Sequence, residues 1–345
     1  MRIPRWAMVV AVVTVGVAVA ALGAAGNGKA TRKASVTVAL ISDIGKFNDK
    51  SFNQNQLAGL NRAKAQLGIT AMPLQSNSTS DYSPNFNTAV RKHSNLVIAA
   101  GFLLANTTAT YAKKFPTTHF AITDYSVHAA PFADKSGKPL YKNVEGLTYA
   151  ANESGCLVGV LAAKMAQKMG GNTIGAVGGL TIPPVDIWIA GYRFCAQKAV
   201  PGTKVLIGYS QDFVATDKCK TVATNQISQG AKVLFQVAGG CGLGTLKAAD
   251  DAGIWGIGVD VDQYGLAKRV LTSCVKKVDN GVFAAAKQTK DGKFAGGSDL
   301  VFNLKNGGMG VGKINPAVPA SFIKLMNSYK EKIIAGTLKV PSTLK

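Results

Sequence analysis

The segment 38–60 constrains the fold more than any other part of the chain, because a buried strand, a polar loop and a helix follow one another in it. The apolar run Val38–Ser42 predicts a strand that is covered on both faces, and this run stops at Asp43. A helical pattern begins near Ser51, directly before Phe52. Open α/β sheets bind ligands where the carboxyl ends of strands face helix N-termini. The segment therefore predicts a site for a flat apolar ligand with polar edges, which would cover the exposed phenyl ring.

The same alternation of strand and helix continues along the chain and predicts an α/β fold with mostly parallel sheets flanked by helices. Strands are predicted at 36–42, 96–99, 119–122, 143–148, 173–177, 204–209, 233–237, 255–258, 270–275 and 300–304. Helices are predicted at 51–66, 84–92, 106–114, 152–168, 184–199, 217–228, 243–251, 278–290 and 319–335. A chain of 345 residues is too long for one small core, so we expect two similar lobes.

Each predicted lobe is assembled from segments that are separated in the sequence. The N-terminal lobe is expected at 36–148 plus 262–299, and the C-terminal lobe at 149–261 plus 300–345. The chain would return to the first lobe around Val261–Gly265 and cross for the last time near 300–306. These crossings would together form a multi-segment hinge.

Residues 1–25 are predicted to be a signal sequence or an N-terminal anchor, and residues 26–35 a polar, basic tether. Arg2 and Arg5 precede the uncharged run Trp6–Leu22, and small residues follow it. The run is at the short edge of a membrane-spanning helix, which favours cleavage over retention as an anchor. Because no cysteine lies in or just after this segment, we expect no lipid attachment. The expected location is the periplasm or cell envelope, with an uncleaved leader at the plasma membrane as the alternative.

The formal charge of +21 arises from 39 Lys and Arg against 18 Asp and Glu. Such a surplus suits nucleic acid, an anionic membrane surface or an acidic cell envelope. The basic residues are scattered, without an arginine-rich run or interleaved aromatic residues, so we expect no nucleic-acid partner. Solubility near an anionic envelope explains the positive charge better than nucleic-acid binding does. Association with a membrane surface stays open.

The sequence lacks the usual enzyme motifs, since it contains neither a nucleophile elbow nor a phosphate-binding P-loop. The histidines at 93, 119 and 128 lack the spacing of metal ligands, and none accompanies a nucleophile in a recognisable pattern. We therefore expect no catalytic residue, no metal and no cofactor. An exported, two-lobed chain of this kind favours binding over catalysis.

Five cysteines stand at 156, 195, 219, 241 and 274. Export permits disulfides, and the spacings fit no zinc motif. The predicted elements allow two pairs, Cys195 with Cys219 and Cys241 with Cys274. Cys156 is then left without a partner. The alternative is that all five are small buried thiols.

Carboxylates follow several of the predicted strands. Asp43, Asp124 and Asp260 each come at a strand's carboxyl end, where side chains of a parallel sheet converge on one cleft. Ionised carboxylates accept hydrogen bonds from ligand hydroxyls and ring N–H groups. Lys276 ends another strand and could reach a ligand hydroxyl or pair with one of these carboxylates. The alternatives are helix capping for the aspartates and a solvated side chain for the lysine.

Two phenylalanines in loops are candidates for stacking on a planar ligand. Phe52 and Phe213 follow strands in opposite halves, and each stacked face would contribute roughly 1–3 kcal/mol. The alternative is that each ring packs on the core of its own lobe and anchors its loop there. Trp188 has the same two possible roles. The glycines at 239–244 follow a strand without the dinucleotide-binding spacing, so they more simply let backbone approach a ligand or the hinge.

The chain resembles the basic membrane protein family, which includes purine nucleoside receptor lipoproteins of ABC transporters. The resemblance covers roughly residues 36–340 and rests on a combination of short segments. These segments are ISD at 41–43, NDKSFNQ at 48–54, GFLLA at 101–105, FAITD at 120–124, GLT at 146–148, ESG at 153–155, GVLAA at 159–163, GAVGG at 175–179, FQVAGG at 235–240, GVD at 258–260, DQY at 262–264, LTS at 271–273 and VK at 275–276.

This resemblance implies a type I periplasmic-binding fold, with two α/β lobes, a three-segment hinge and a ligand cleft between the lobes. It implies a purine nucleoside of the guanosine, inosine or adenosine type, and transport partners in the form of an ABC permease and its ATPase. The residues in the matching positions, which we take as the ligand-binding set, are Asp43, Asn48, Phe52, Asp124, Phe213, Gly239, Asp260 and Lys276. The chain departs from the family in its missing lipidation cysteine, in its many cysteines and in the Gly-Cys-Gly at 240–242.

Two other functions stay open at this point. A secreted nucleoside-processing enzyme would need a general base or a metal. A basic envelope interaction protein would use the positive charge rather than a cleft.

Overall fold

The computed structural model describes residues 35–344, which form two six-stranded sheets. The predicted leader and the tether up to Ala34 lie outside the described residues. None of the helices formed by residues 35–344 combines the length and apolar character that crossing a bilayer requires.

The strands, in chain order, are β1 (Thr37–Ser42), β2 (Thr70–Leu74), β3 (Leu96–Ala100), β4 (His119–Thr123), β5 (Val144–Tyr149), β6 (Thr173–Gly178), β7 (Lys204–Tyr209), β8 (Val233–Val237), β9 (Trp255–Asp260), β10 (Val270–Lys276), β11 (Asp299–Phe302) and β12 (Met309–Val311). The helices are α1 (Phe52–Leu67), α2 (Tyr82–Arg91), α3 (Ala105–Lys114), α4 (Ala151–Lys168), α5 (Pro183–Ala199), α6 (Thr216–Ser228), α7 (Leu243–Asp251), α8 (Val278–Lys290) and α9 (Ala320–Ile334).

The two sheets repeat one topology. The first has the order β11-β5-β4-β3-β1-β2, and the second has the order β12-β10-β9-β8-β6-β7. Neighbouring strands are parallel except for β10 and β12, which are antiparallel. Helices α1, α2, α3 and α8 pack on the first sheet, helices α4 to α7 pack on the second, and α9 packs on α4. We call the first sheet with its helices the first lobe and the second sheet with its helices the second lobe, and this two-lobed α/β architecture confirms the predicted fold class.

Apolar runs place the central strands in the core. In β3 all five residues are buried, as are all five in β8, because helices cover both faces of each sheet. The carboxyl ends of these strands lie at one edge of each sheet, where ligands of such folds bind.

Two strands were not predicted from the sequence. β2 contains Pro73 and is only partly buried, and both features are tolerated at a sheet edge. β12 has only three residues and also lies at an edge, so neither strand has the apolar signal that marks a central one.

The chain crosses between the lobes between β5 and α4, between β10 and α8, and between β11 and β12. The predicted return around Val261–Gly265 is wrong, because β10 pairs with β9 in the second sheet. Residues 270–276 therefore belong with the second sheet rather than with the first. The last crossing, between β11 and β12, overlaps the predicted 300–306, but it falls after the lobe boundary predicted at 300, since β11 pairs with β5 in the first sheet.

The cysteine pairs differ from both predicted alternatives. Cys156 on α4 is bonded to Cys195 on α5, and Cys219 on α6 is bonded to Cys241 in the turn after β8. Cys274 on β10 is a buried free thiol. The predicted pairs fail because tertiary packing, of α4 on α5 and of α6 on the turn after β8, brings together cysteines that the order of the elements does not show as neighbours.

Candidate functional site

The carboxyl ends of the two sheets face a shared cleft, which leaves about 560 Å³ unfilled by protein atoms when the open space at its mouth is included. The first lobe lines it with Asp43, Asp49, Phe52, Asn53, Gly101, Phe102, Leu103 and Asp124. The second lobe lines it with Ile182, Pro184, Val185, Trp188, Phe213, Val237, Gly239, Val259, Asp260 and Lys276.

The structure brings together all but one of the predicted ligand-binding residues. Asp43, Phe52, Asp124, Phe213, Gly239, Asp260 and Lys276 line this one cavity. Asn48 is exposed and lies outside the lining, so the loop contributes its neighbour Asp49 instead.

An ion pair joins the two lobes across the floor of the cleft. Lys276, at the end of β10, places its Nζ 2.6 Å from Oδ2 of Asp124, which follows β4 in the first lobe. The same Nζ lies 3.8 Å from Oδ1 of Asp260 at the end of β9. The lysine side chain is only 3% exposed, so its charge is balanced by these carboxylates rather than by water.

Asp124 and Asp260 hold equivalent places in the two lobes and share an uncommon backbone. β4 and β9 are each the third strand in their sheet's order, and the two aspartates have φ angles of 62° and 65°. Residues other than glycine seldom adopt this left-handed backbone region, and those that do are enriched at functional sites. Both strand ends thus turn a carboxylate toward the cleft at some cost in backbone energy.

Burial changes the acidity of two cavity carboxyls. It raises the pKa of Asp43 to about 6, although hydrogen bonds from Gly45 and Asn53 act in the lowering direction. Both donors contact Oδ1 of Asp43 at 2.9 Å. Burial also raises the pKa of Asp260 to about 6, against the lowering effects of Lys276 and of a 2.7 Å hydrogen bond from Ser51. Carboxyls shifted in this way lie in a dry site where an additional hydrogen-bond donor would be favourable.

The aromatic side chains approach the cavity from both lobes. Phe52 is the first residue of α1, and the Nζ of Lys276 lies 4.7 Å from the centre of its ring. Phe213 is in the loop before α6, and its ring packs so closely on Gly179 that a β-carbon there would collide with it. Trp188 on α5 is 1% exposed and lies 5.5 Å from the same lysine nitrogen. The cavity therefore combines flat apolar faces with a charged floor.

The start of α1 also links the lobes directly. The Nε2 of Gln263 in the second lobe donates to the carbonyl oxygen of Lys50 at 3.0 Å. The hydroxyl of Ser51 donates to Asp260, and the Nδ2 of Asn55 donates to the carbonyl oxygen of Lys276 at 3.3 Å. These contacts hold the lobes together around the cavity.

Sequence reasoning missed two polar residues of the lining. Asp49 accepts hydrogen bonds from the backbone N–H groups of Ser51, Asn53 and Gln54, so it caps the N-terminus of α1. Its position just before a helical pattern is the signal for a cap, but the cap does not reveal that the residue also faces a cavity. Asn53, one residue into α1, is buried and gives no sequence signal beyond its polarity.

The family model for ABC transporter substrate-binding proteins described as PnrA-like matches residues 36–343. The chain belongs to this Bmp family. The predicted resemblance is thereby confirmed, and with it the general role of a substrate-binding component of an ABC transporter.

The relatives of this Bmp-family protein agree with that placement. A protein of Lactococcus lactis named ABC transporter nucleoside-binding protein BmpA is 35% identical over 90% of both chains. Basic membrane protein A1 of Borrelia garinii is 29% identical over 91% of both chains. An ABC transporter solute-binding protein of Aeropyrum pernix has a solved structure with a TM-score of 0.79 and 25% identity, covering 90% of this chain and 94% of that one.

Proposed function

We propose that this protein captures a purine nucleoside between its two lobes and delivers it to an ABC permease that is powered by an ATPase. The observation that carries the proposal is the pair of phenyl rings, Phe52 and Phe213, that reach one cavity from opposite lobes. A planar base between them would be stacked on both faces. The name of the Lactococcus lactis relative, which describes a nucleoside-binding protein, supports the same ligand class.

The polar residues of the cavity suit the edges of such a ligand. Carboxylates accept hydrogen bonds from the N–H groups of a purine and from ribose hydroxyls, while Lys276 donates. We assign this role to Asp43, Asp124 and Asp260. Since the lining has an excess of carboxylates over ammonium groups, it would repel a phosphate, which favours a nucleoside over a nucleotide.

We assign no covalent chemistry to the cavity. Its carboxylates and lysine are occupied with one another or with backbone donors, and ligand recognition explains their arrangement. A nucleoside-processing enzyme remains the competing function. Incubation with guanosine and chromatographic detection of released guanine distinguishes the two, because a transport receptor returns the nucleoside intact.

Calorimetric titration tests the proposed ligand directly. The panel contains guanosine, inosine and adenosine, with guanine, ribose and guanosine monophosphate as comparisons. We expect at least one nucleoside to bind more tightly than its free base, because ribose hydroxyls contact the carboxylates, and we expect the monophosphate to bind weakly. Equal affinity for guanine and guanosine would show that the ribose does not contribute to binding, and would reject this part of the proposal.

The cellular setting follows from the proposed transport. The protein would be exported to the periplasm or cell envelope, where the leader is either removed or retained as an anchor. Intact-mass measurement of the protein from its native envelope decides between these states, and it also tests the expectation that no lipid is attached.

A further inference from the structure

The second lobe forms its side of the cavity with two loops that are far apart in sequence. One loop, 210–215, carries Phe213 and leads into α6. The other, 238–242, follows β8 and carries Gly239, which has a φ of 54°. The disulfide between Cys219 and Cys241 joins the first turn of α6 to the second loop. Both of its cysteines are fully buried.

The disulfide continues into direct contacts with the cavity wall. The backbone N–H of Cys241 donates to the carbonyl oxygen of Phe213 at 3.0 Å. A β-carbon on the neighbouring Gly240 would lie 3.4 Å from that oxygen and 3.7 Å from the Cα of Asp49 in the first lobe. The loop that the disulfide holds therefore donates a hydrogen bond to Phe213 and lies close to the opposite lobe.

The other end of the Phe213 loop is fixed by Asp212. Its Oδ1 accepts hydrogen bonds from the N–H groups of Val214 and Ala215 at 2.7 and 3.0 Å, and its Oδ2 pairs with Lys218 at 2.8 Å. Since these contacts lie within one short segment, they shape the loop but do not attach it to β8. The Cys219–Cys241 bond and the Cys241–Phe213 hydrogen bond provide that attachment.

We propose that the Cys219–Cys241 disulfide positions Phe213 and Gly239 for ligand binding, so that it sets affinity as well as stability. This inference rests on the proposed function, because the positioned ring is the one that would stack on the ligand. Holding a binding loop in its bound shape raises affinity by lowering the ordering cost at binding. Because both cysteines are buried, we regard the bond as a structural disulfide that holds the two loops together.

The chain offers a matched control in its other disulfide. Cys156–Cys195 also lies in the second lobe, is fully buried and closes a loop of 39 residues, compared with 22 for Cys219–Cys241. Neither disulfide lines the cavity itself, but Cys156–Cys195 joins α4 to α5, whereas Cys241 lies in the loop that carries the lining residue Gly239. A role in stability alone predicts similar consequences for removing either bond.

The test compares the variants C219A/C241A and C156A/C195A by thermal unfolding and by calorimetric titration with guanosine. We expect both to lower the melting temperature, but only C219A/C241A to weaken guanosine binding, by about tenfold. In a Phe213→Ala background, the same loss of the disulfide should change affinity by less than it does in the parent protein, since the ring is gone and only Gly239 is still positioned. Parent-like binding by C219A/C241A, or equal loss in both disulfide variants, would overturn the proposal.

Amide hydrogen exchange of the ligand-free protein keeps the proposal testable if none of the three nucleosides binds the parent protein, a result that would count against the proposed function alone. Loss of the Cys219–Cys241 bond should speed exchange in 211–215 and at the amide of Cys241, while C156A/C195A leaves these amides unchanged. Unchanged protection of both loops in C219A/C241A would contradict the positioning role whatever the ligand.

Discussion

The two lobes have the same strand order, yet they contribute differently to the cavity. At the end of the third strand in each sheet they agree, since Asp124 and Asp260 both present a carboxylate from a left-handed backbone. At the end of the second strand they differ, because β5 ends in Tyr149 and β10 ends in Lys276. The repeated scaffold thus supplies a matched pair of carboxylates, and the single lysine between them makes the site asymmetric.

The lobes also differ in how they are held together. All four disulfide cysteines lie in the second lobe, whereas the described part of the first lobe contains no cysteine. In the first lobe, Asp49 caps α1 and so fixes the helix that carries Phe52. In the second lobe, a covalent bond fixes the wall beside Phe213. The two residues that we propose stack on the ligand, Phe52 and Phe213, are therefore held by different means at comparable places in the cleft.

Removing the charge of Lys276, which makes the site asymmetric, should have the largest effect on stability and binding. Lys276→Met leaves Asp124 and Asp260 buried without their cation, and breaking such a pair costs about 3–5 kcal/mol. We expect a clear fall in the free energy of unfolding, measured by urea denaturation, and loss of detectable nucleoside binding. Lys277→Met is the control, because that neighbouring side chain is exposed. Parent-like stability of Lys276→Met would show that the carboxylates do not depend on the lysine.

Replacing the stacking rings should have an intermediate effect and tests whether the two lobes grip the ligand equally. Phe52→Ala and Phe213→Ala should each weaken nucleoside binding by about 1–3 kcal/mol in calorimetric titrations. Phe322→Ala, a half-buried position on α9 away from the cleft, should leave affinity unchanged. If only one cleft variant binds more weakly, the ligand stacks on one lobe and the two-sided clamp is wrong.

The smallest expected effect is a dependence on pH that comes from one carboxyl in each lobe. Burial raises the pKa of Asp43 and of Asp260 from 3.8 to about 6 in the folded protein. The folded state therefore binds more protons than the unfolded state between these values. The stability that the two groups contribute is present below this window and is lost as the pH rises through about 6.

Nucleoside affinity should change in the opposite direction, because ionised carboxylates are the stronger hydrogen-bond acceptors. We expect binding to strengthen several-fold between about pH 5 and pH 7, since the carboxyls ionise in that range. Titrations across this range measure the change, and Asp43→Asn should reduce it. A flat profile for the parent protein would mean that neither carboxyl changes its protonation at the ligand.

Local sequence patterns predict most of the elements but not how distant elements meet. Val38–Ser42 was recognisable because its apolar run is long enough for a central strand, whereas β2 was missed because an edge strand needs no such run. The sheet to which Val270–Lys276 belongs depends on pairing with β9, which leaves no local trace. The cysteine partners were wrong for the same reason.

The candidate site was predictable where a residue ends a buried strand. Asp124, Asp260 and Lys276 have that position, and the structure brings all three to one ion-paired cluster. Asp49 and Asn53 were missed, because a helix cap and a buried helical amide have ordinary structural roles that hide a cavity-facing one. Asn48 is exposed and lies outside the cavity lining, so its part in ligand binding stays a prediction.

A crystal structure of the complex with the nucleoside that binds most tightly in calorimetry tests the two-lobed capture most directly. We predict the purine ring between Phe52 and Phe213, with the ribose and base edge on Asp43, Asp124, Asp260 and Lys276. Contacts from both lobes would then explain why a bound ligand favours the closed arrangement, in which the two lobes meet around it. A nucleoside bound outside the cleft, or held by the residues of one lobe alone, would contradict capture between the lobes.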